Sequence, residues 1–310
     1  MRVVFFGTPQ FSAEILSAMV ADADITVVGV VCQSDEPVGR KKILTAPPTK
    51  QFAIAHSIPV LQPTKLRDET FLASIDALRA DIAVIIAYGR ILPKVVLDRI
   101  PKGFVNVHPS LLPKYRGPSP MQAAITAGDT VTGVSIMVID EGMDTGPLLT
   151  QANMYIAPKE TTETLTEKVV TIAAPLLIES LKGFFTGSIV PTAQSTEGIS
   201  VCKMLSREDG KIDWTETAAT IDQKIRAYTP WPGTWTVWTL NGAETIVKII
   251  SGTSAPSDVR RPTSDVQSPF SINGRLFCMA DDAPFEITSL QPAGGKIISA
   301  ADFVRGYLKH

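Results

Sequence analysis

The sequence predicts an α/β domain built on a doubly wound, mostly parallel sheet, followed by a small β-barrel of the OB type. Three observations carry this. Up to about residue 149, near-continuous Val/Ile/Phe runs alternate with stretches of helical period, as strands covered on both faces alternate with their crossover helices. After about residue 207 the runs become short and are punctuated by Asn241-Gly242, Asn273-Gly274 and Gly294-Gly295, the turn chemistry of an antiparallel meander. The length, 310 residues, suits two domains at roughly 100 to 200 residues each.

The strands of the first part are read at Arg2 to Phe6, Ile25 to Val31, Ile82 to Ile86, Gly103 to Val107 and Gly133 to Val138. Between them, Phe11 to Ala21 sets Phe11, Ile15, Leu16 and Met19 on one helical face, and Thr70 to Arg79 does the same with Phe71, Ile75 and Leu78. Thr161 to Phe185 is a long amphipathic pattern in which Pro175 either kinks the helix or starts a new one, and Gly187 ends it. The expected division is residues 1–188 as the first domain, 189–206 as a Gly/Pro/Ser/Thr-bearing linker, and 207–310 as the barrel. Barrel strands are expected at Trp235 to Leu240, Thr245 to Ile250, Pro269 to Met279 and Phe285 to Leu290.

Composition excludes several classes. With 29 Lys and Arg against 31 Asp and Glu the chain is not polybasic, and 45% hydrophobic with 19% charged residues is a globular balance. Cys32, Cys202 and Cys278 lie far apart without C-x-x-C spacing, which argues against a disulfide framework or a cysteine-rich zinc site. The apolar run Val3 to Phe6 is too short for a signal segment, and Ile82 to Ala87 is about a third of the ~18 residues that suggest a membrane span. A soluble cytoplasmic protein with no membrane partner and no bound metal is the expectation.

Asn106 and His108 stand at the end of a buried strand, where ligands of open α/β sheets bind, and residues two apart on a strand share a face. A lone histidine is more often a satisfied hydrogen-bonding residue than a catalyst, so His108 needs a partner. Asp144, in the turn Asp140 to Pro147 that follows the next strand, is the carboxylate expected beside it, raising the imidazolium pKa and orienting the ring. Gly142 and Gly146 permit that turn to be tight. The proline-rich loop Ser110 to Pro120 is stiff enough to wall a pocket. Arg40-Lys41-Lys42 offers phosphate contacts. Gly7-Thr8-Pro9 supplies neither the G-x-G-x-x-G fingerprint nor a P-loop lysine, so no nucleotide cofactor is expected.

Taken together, Phe6-Gly7-Thr8-Pro9 with Phe11-Ser12, Asn106-Val107-His108-Pro109-Ser110-Leu111-Leu112-Pro113 with Tyr115-Arg116-Gly117, and Met143-Asp144-Thr145-Gly146 resemble the formyltransferase family. Gly39-Arg40-Lys41-Lys42, Ile212-Asp213-Trp214 and Pro230-Trp231-Pro232-Gly233-Thr234-Trp235 narrow the resemblance to the methionyl-tRNA formyltransferases. The resemblance implies a Rossmann-like catalytic domain that moves a formyl group from 10-formyltetrahydrofolate to the amino group of initiator methionyl-tRNA, in a monomer. It implies Asn106, His108 and Asp144 as the catalytic trio, with Ser110, Leu111, Leu112 and Pro113 against the folate. It places the pterin beside Ile86, Ala87 and Tyr88 and the turn Val138, Ile139, Asp140, Glu141 and Gly142. It gives Arg40, supported by Lys41 and Lys42, to tRNA. The C-terminal domain, with 11 Lys and Arg against 12 Asp and Glu from Arg207 to His310, would assist only through a local basic patch. A nucleotide amino-sugar formyltransferase or a 10-formyltetrahydrofolate hydrolase would share the trio, but neither would depend on tRNA.

Overall fold

The computed structural model describes residues 1–39, 41–240, 242–255, 259 and 268–308. It divides into two compact units. One comprises Met1–Pro120, Val131–Tyr155 and Thr166–Cys202; the other comprises Met121–Thr130, Ile156–Leu165 and Lys203–His310.

The first unit holds strands β1 (Arg2–Gly7), β2 (Thr26–Val31), β3 (Glu36–Val38), β4 (Ile43–Thr45), β5 (Val60–Leu61), β6 (Ile82–Ile86), β7 (Phe104–His108), β8 (Val131–Val138) and β9 (Leu148–Tyr155). Seven of them form one sheet in the order β5-β2-β1-β6-β7-β8-β9. The first five pair in parallel, and β8 and β9 join them through antiparallel pairings, so that β8 alone runs against the rest. Helices α1 (Gln10–Ala21), α2 (Pro48–Ala55) and α3 (Glu69–Leu78) occupy the crossovers. Because β1 pairs with β2 on one side and β6 on the other, the strand order reverses at β1, and a crevice opens beyond the carboxyl ends of the strands. The expected doubly wound sheet is therefore present.

Strand composition explains the layering. β1, β6 and most of β7 are buried on both faces, and Phe6 meets Tyr88 and Phe104 edge-on with ring centroids 5.4 and 5.5 Å apart. Asp68 caps α3, accepting from the backbone N–H groups of Thr70 and Phe71 at 3.0 and 3.4 Å. α4 (Lys94–Leu97) and α5 (Pro120–Thr126) are short, whereas α6 runs from Thr162 to Thr186 with Pro175 inside it. The helix neither breaks nor restarts at the proline; the buried stripe Val169, Ala173, Leu177 and Leu181, at four-residue spacing, continues across it. Among the described residues, α6 is long and apolar enough to cross a membrane by length and composition, yet this stripe is buried in protein.

In the second unit β10 (Thr234–Leu240), β11 (Ala243–Ser254), β12 (Phe270–Ile272), β13 (Arg275–Met279), β14 (Pro284–Pro292) and β15 (Ile298–Ser299) make an antiparallel sheet. Its order is β10-β11-β14-β13-β12, with β15 also on β14. β10 and β12 do not pair among the described residues, so the barrel is a half-barrel. The run expected as one strand from Pro269 to Met279 is a hairpin, because Asn273 and Gly274 both take positive φ, 50° and 77°. Two helices that strand-spotting overlooked, α7 (Ala218–Ala227) and α8 (Ala300–Tyr307), close the core around Trp214, Trp238, Phe285 and Phe303. Their signals are local: Thr217 and Ser299 cap them, and Ile221 with Ile225 share one face.

Candidate functional site

β7 ends in Asn106, Val107 and His108, and strand alternation turns the first and third to one face. His108 is 4% exposed. The β8–β9 loop brings Asp144 to that face by reversing sharply: Asp144 itself has φ 53°, and a Cβ on Gly146 would lie 1.9 Å from the Val138 carbonyl oxygen. The Asp144 carboxylate then lies 3.6 Å from His108 Nδ1 through Oδ2 and 3.5 Å from Asn106 Nδ2 through Oδ1. Gly117 N–H donates to Oδ2 at 2.8 Å.

The ring of His108 is oriented from its other side. Its Nε2 lies 2.8 Å from the carbonyl oxygen of Tyr115. A carbonyl only accepts, so Nε2 carries the hydrogen, and in the neutral ring Nδ1 keeps a lone pair facing Asp144. Burial pushes the His108 pKa below the ordinary histidine value, outweighing the opposite pulls of Asp144 and of the Tyr115 carbonyl. This reverses the expectation that Asp144 would leave His108 with a raised pKa: desolvation of a nearly enclosed ring outweighs a carboxylate beyond hydrogen-bonding distance.

Loop 109–119 is shaped from within. Ser110 is fully buried and donates to the Lys114 carbonyl at 2.6 Å, while Ser135 Oγ donates to the Ser110 carbonyl at 2.6 Å and accepts from Leu112 N–H at 3.0 Å. Leu112 is 3% exposed. Ser110 and Leu112 thus brace the loop with inward-facing side chains, whereas Leu111 and Pro113 are partly exposed.

At the carboxyl end of β6, Ile86 and Tyr88 are each 1% exposed, and Ala87 between them is exposed with φ 46°. Ser12 Oγ donates to the Ile86 carbonyl at 2.7 Å; Thr8 Oγ1 and Gln33 Nε2 donate to that of Tyr88 at 3.2 and 2.9 Å. Where β8 passes into the β8–β9 loop, Val138 N–H donates to Pro147 O and Ile139 N–H to Phe104 O, at 2.9 and 2.8 Å. Asp140 folds back to accept from Gly142 N–H and Thr145 Oγ1 at 3.0 and 2.7 Å, and exposed Glu141 lies 3.5 Å from Lys94 Nζ. Ala87 and Asp140 to Gly142 are exposed residues at this end of the sheet.

Lys41 and Lys42 are exposed in the turn of the β3–β4 hairpin; Arg40 lies outside the described residues. No cluster of three or more metal-ligating His, Cys, Asp or Glu side chains occurs among the described residues. Reading the sequence missed the segment 194–202, which hydrogen-bonds both loops of the site. Ser200 Oγ accepts from Tyr115 N–H at 2.8 Å, Arg116 N–H donates to Ser200 O, and Cys202 N–H donates to Arg116 O. No local pattern marks it, because its partners are about 80 residues away.

The family model for formyl transferase matches residues 1–181, and that for the formyl transferase C-terminal domain matches residues 204–308. A methionyl-tRNA formyltransferase of Chloroflexus aggregans is 42% identical over 306 residues, spanning 99% of this chain and 97% of that protein. The chain belongs to the methionyl-tRNA formyltransferase family. Solved structures extend the likeness of fold alone. An N-formyltransferase from Helicobacter canadensis, in complex with folinic acid and dTDP-3-aminofucose, superposes with TM-score 0.67 at 16% identity over 92% of this chain and 97% of that one. HypX from Aquifex aeolicus, in complex with tetrahydrofolic acid, gives TM-score 0.63 at 16% identity over 100% of this chain and 48% of that one. Like its family, this methionyl-tRNA formyltransferase homologue is a formyl-transferring enzyme.

Proposed function

We propose that the enzyme transfers the formyl group of 10-formyltetrahydrofolate to the α-amino group of methionine on initiator methionyl-tRNA, with Asn106, His108 and Asp144 as its catalytic residues. The observation that supports this most is the meeting of those three side chains, from positions 38 residues apart, in a member of this family. In this reading residues 1–188 are the catalytic domain, 189–206 the linker and 207–310 a domain assisting tRNA binding, in a cytoplasmic monomer.

The donor supplies a formyl carbon activated as an N-formyl group. The methionyl amine forms a bond to that carbon while the carbonyl π pair moves onto oxygen. Asn106 Nδ2, only loosely engaged by Asp144 at 3.5 Å, donates to this oxyanion. His108, neutral with its lone pair on Nδ1, accepts the proton shed by the attacking nitrogen, directly or through one water. Asp144 stabilises the imidazolium so formed, and Tyr115 O keeps the ring from turning. Cleavage of the bond between the carbon and the folate nitrogen then requires a proton on that nitrogen, which the His108–Asp144 pair returns. The products are the N-formylated methionyl ester and tetrahydrofolate, with no net change in proton count.

The exposed residues Ala87 and Asp140 to Gly142 suit the hydrogen-bonding edge of a pterin, and Leu111 and Pro113 suit its apolar faces. The buried side chains of Ser110 and Leu112 act behind that surface. Lys41 and Lys42, with Arg40, would meet tRNA phosphates.

The test is transfer of labelled formyl from 10-formyltetrahydrofolate to charged initiator tRNA, beside uncharged tRNA, charged elongator tRNA and a nucleotide amino-sugar. Transfer to charged initiator tRNA alone is expected. Transfer to the sugar, or release of formate without tRNA, overturns the acceptor assignment and leaves the formyl chemistry standing.

A further inference from the structure

Gln194 bridges the two loops that frame the trio. Its Nε2 donates to the carbonyl oxygens of Asp144 and Gly146, each at 2.8 Å, and its Oε1 accepts from Arg116 Nε and Nη2 at 3.1 and 2.7 Å. One carboxamide therefore uses both amide hydrogens on the loop carrying the carboxylate and both lone-pair directions on the loop carrying Tyr115 and Gly117. Those loops also meet through the Gly117 N–H donated to Asp144 Oδ2. The second link fixes one carboxylate oxygen; the first fixes the backbone from which it hangs.

Such a brace has something to hold. Asp144 and Tyr115 both take positive φ, 53° and 58°, a left-handed conformation that is strained for a residue with a side chain. The Asp144 carboxylate reaches His108 and Asn106 only at 3.6 and 3.5 Å, so small drifts of the loop decide whether it serves them. The remaining contacts of the segment, from Ser200 and Cys202, hold Pro113, Tyr115 and Arg116, while Thr192 just before it pairs with Leu148 and so anchors only the far end of the Asp144 loop. At Asp144 and Gly146 themselves, the side chain of Gln194 makes the connection.

We infer that Gln194 is a positioning residue for formyl transfer: its carboxamide, by bridging the Asp144–Gly146 carbonyls to the Arg116 guanidinium, sets the carboxylate of Asp144 against His108 and Asn106. The inference rests on the catalytic assignment above. It requires both ends of the amide, because a group that only accepts can keep Arg116 but cannot hold the two carbonyls.

Gln194→Glu and Gln194→Leu separate these ends. Gln194→Glu retains an acceptor for Arg116 and loses the donors; Gln194→Leu loses both. A displacement of about 1 Å at a catalytic group can cost on the order of 100-fold in rate. The expected result is a kcat about 10- to 100-fold below wild type in both variants. KM for 10-formyltetrahydrofolate and for methionyl-tRNA should stay within about threefold, with the protein folded at the assay temperature by circular dichroism. A kcat within about threefold of wild type in either variant, or a loss carried by KM, overturns the positioning role. So does a loss that accompanies unfolding, which makes Gln194 a structural residue only. Failure of the wild-type enzyme to formylate methionyl-tRNA overturns the functional reading instead, so the two failures are distinct.

Discussion

His108 is pulled in two directions, and burial wins: its pKa lies below the ordinary histidine value despite the carboxylate 3.6 Å away. The native state then binds fewer protons than the unfolded chain between the lowered pKa and about 6.5. Stability falls as pH drops through that window and is recovered as pH rises above it. NMR titration of the His108 ring should give a midpoint below 6.5, with Nε2 carrying the hydrogen at neutral pH; a midpoint above 6.5 would mean Asp144 dominates. His108→Ala and Asp144→Asn should each lower kcat by roughly 100-fold or more while the far-ultraviolet spectrum is unchanged, as expected for loss of general acid–base catalysis. Normal turnover by His108→Ala would sink the assignment.

Among the elements, the two loops are more demanding than the strands. Gly117 has φ 114°, and a Cβ there would stand 2.4 Å from the Cys202 carbonyl oxygen, which is backbone and cannot swing aside. Gly117→Ala should therefore cost roughly 1–3 kcal/mol in backbone strain alone and displace the N–H that meets Asp144. Denaturant melts and kcat measured on one preparation should show both losses. Asp68→Ala, removing the cap of α3 far along the chain from the trio, is the contrasting case. It should cost about 1 kcal/mol of stability with kcat unchanged, and a change in kcat would mean the helices are coupled to the site. Phe104→Ala, on β7 itself, should cost about 3–5 kcal/mol because it empties the aromatic contact with Phe6.

For the whole molecule, charge decides how tRNA is met. A chain with 29 basic and 31 acidic residues has no general attraction for nucleic acid, so binding must come from local phosphate contacts. KM for methionyl-tRNA should rise with salt, and Lys41→Ala or Lys42→Ala should each reduce that slope by about one if the lysine neutralises one phosphate. Equal salt slopes in wild type and variants would remove this hairpin from the tRNA surface.

Local patterning was enough to determine β1, β2, β6 and β7 of the parallel sheet, since a run such as Ile82 to Ile86 has no polar residue to expose and must be covered on both faces, whereas the two-residue β5 is too short to show a pattern. It also placed Asn106 and His108 on one face, because strand period is a property of the backbone, and the motifs around Asn106 and Asp144 pointed to the family. The helices α7 and α8 were legible in their caps and spacing but were masked by the strand-rich texture around them. What only the tertiary structure decided depends on neighbours distant in sequence. Burial set the direction of the His108 pKa, which no neighbouring residue encodes. Inward packing gave Ser110 and Leu112 to the loop's own support. The chain's return at 194–202 brought Gln194 to Asp144, 50 residues earlier, and to Arg116, 78 residues earlier. A hydrogen bond leaves no periodicity in the sequence; it exists only where folding has placed donor and acceptor together.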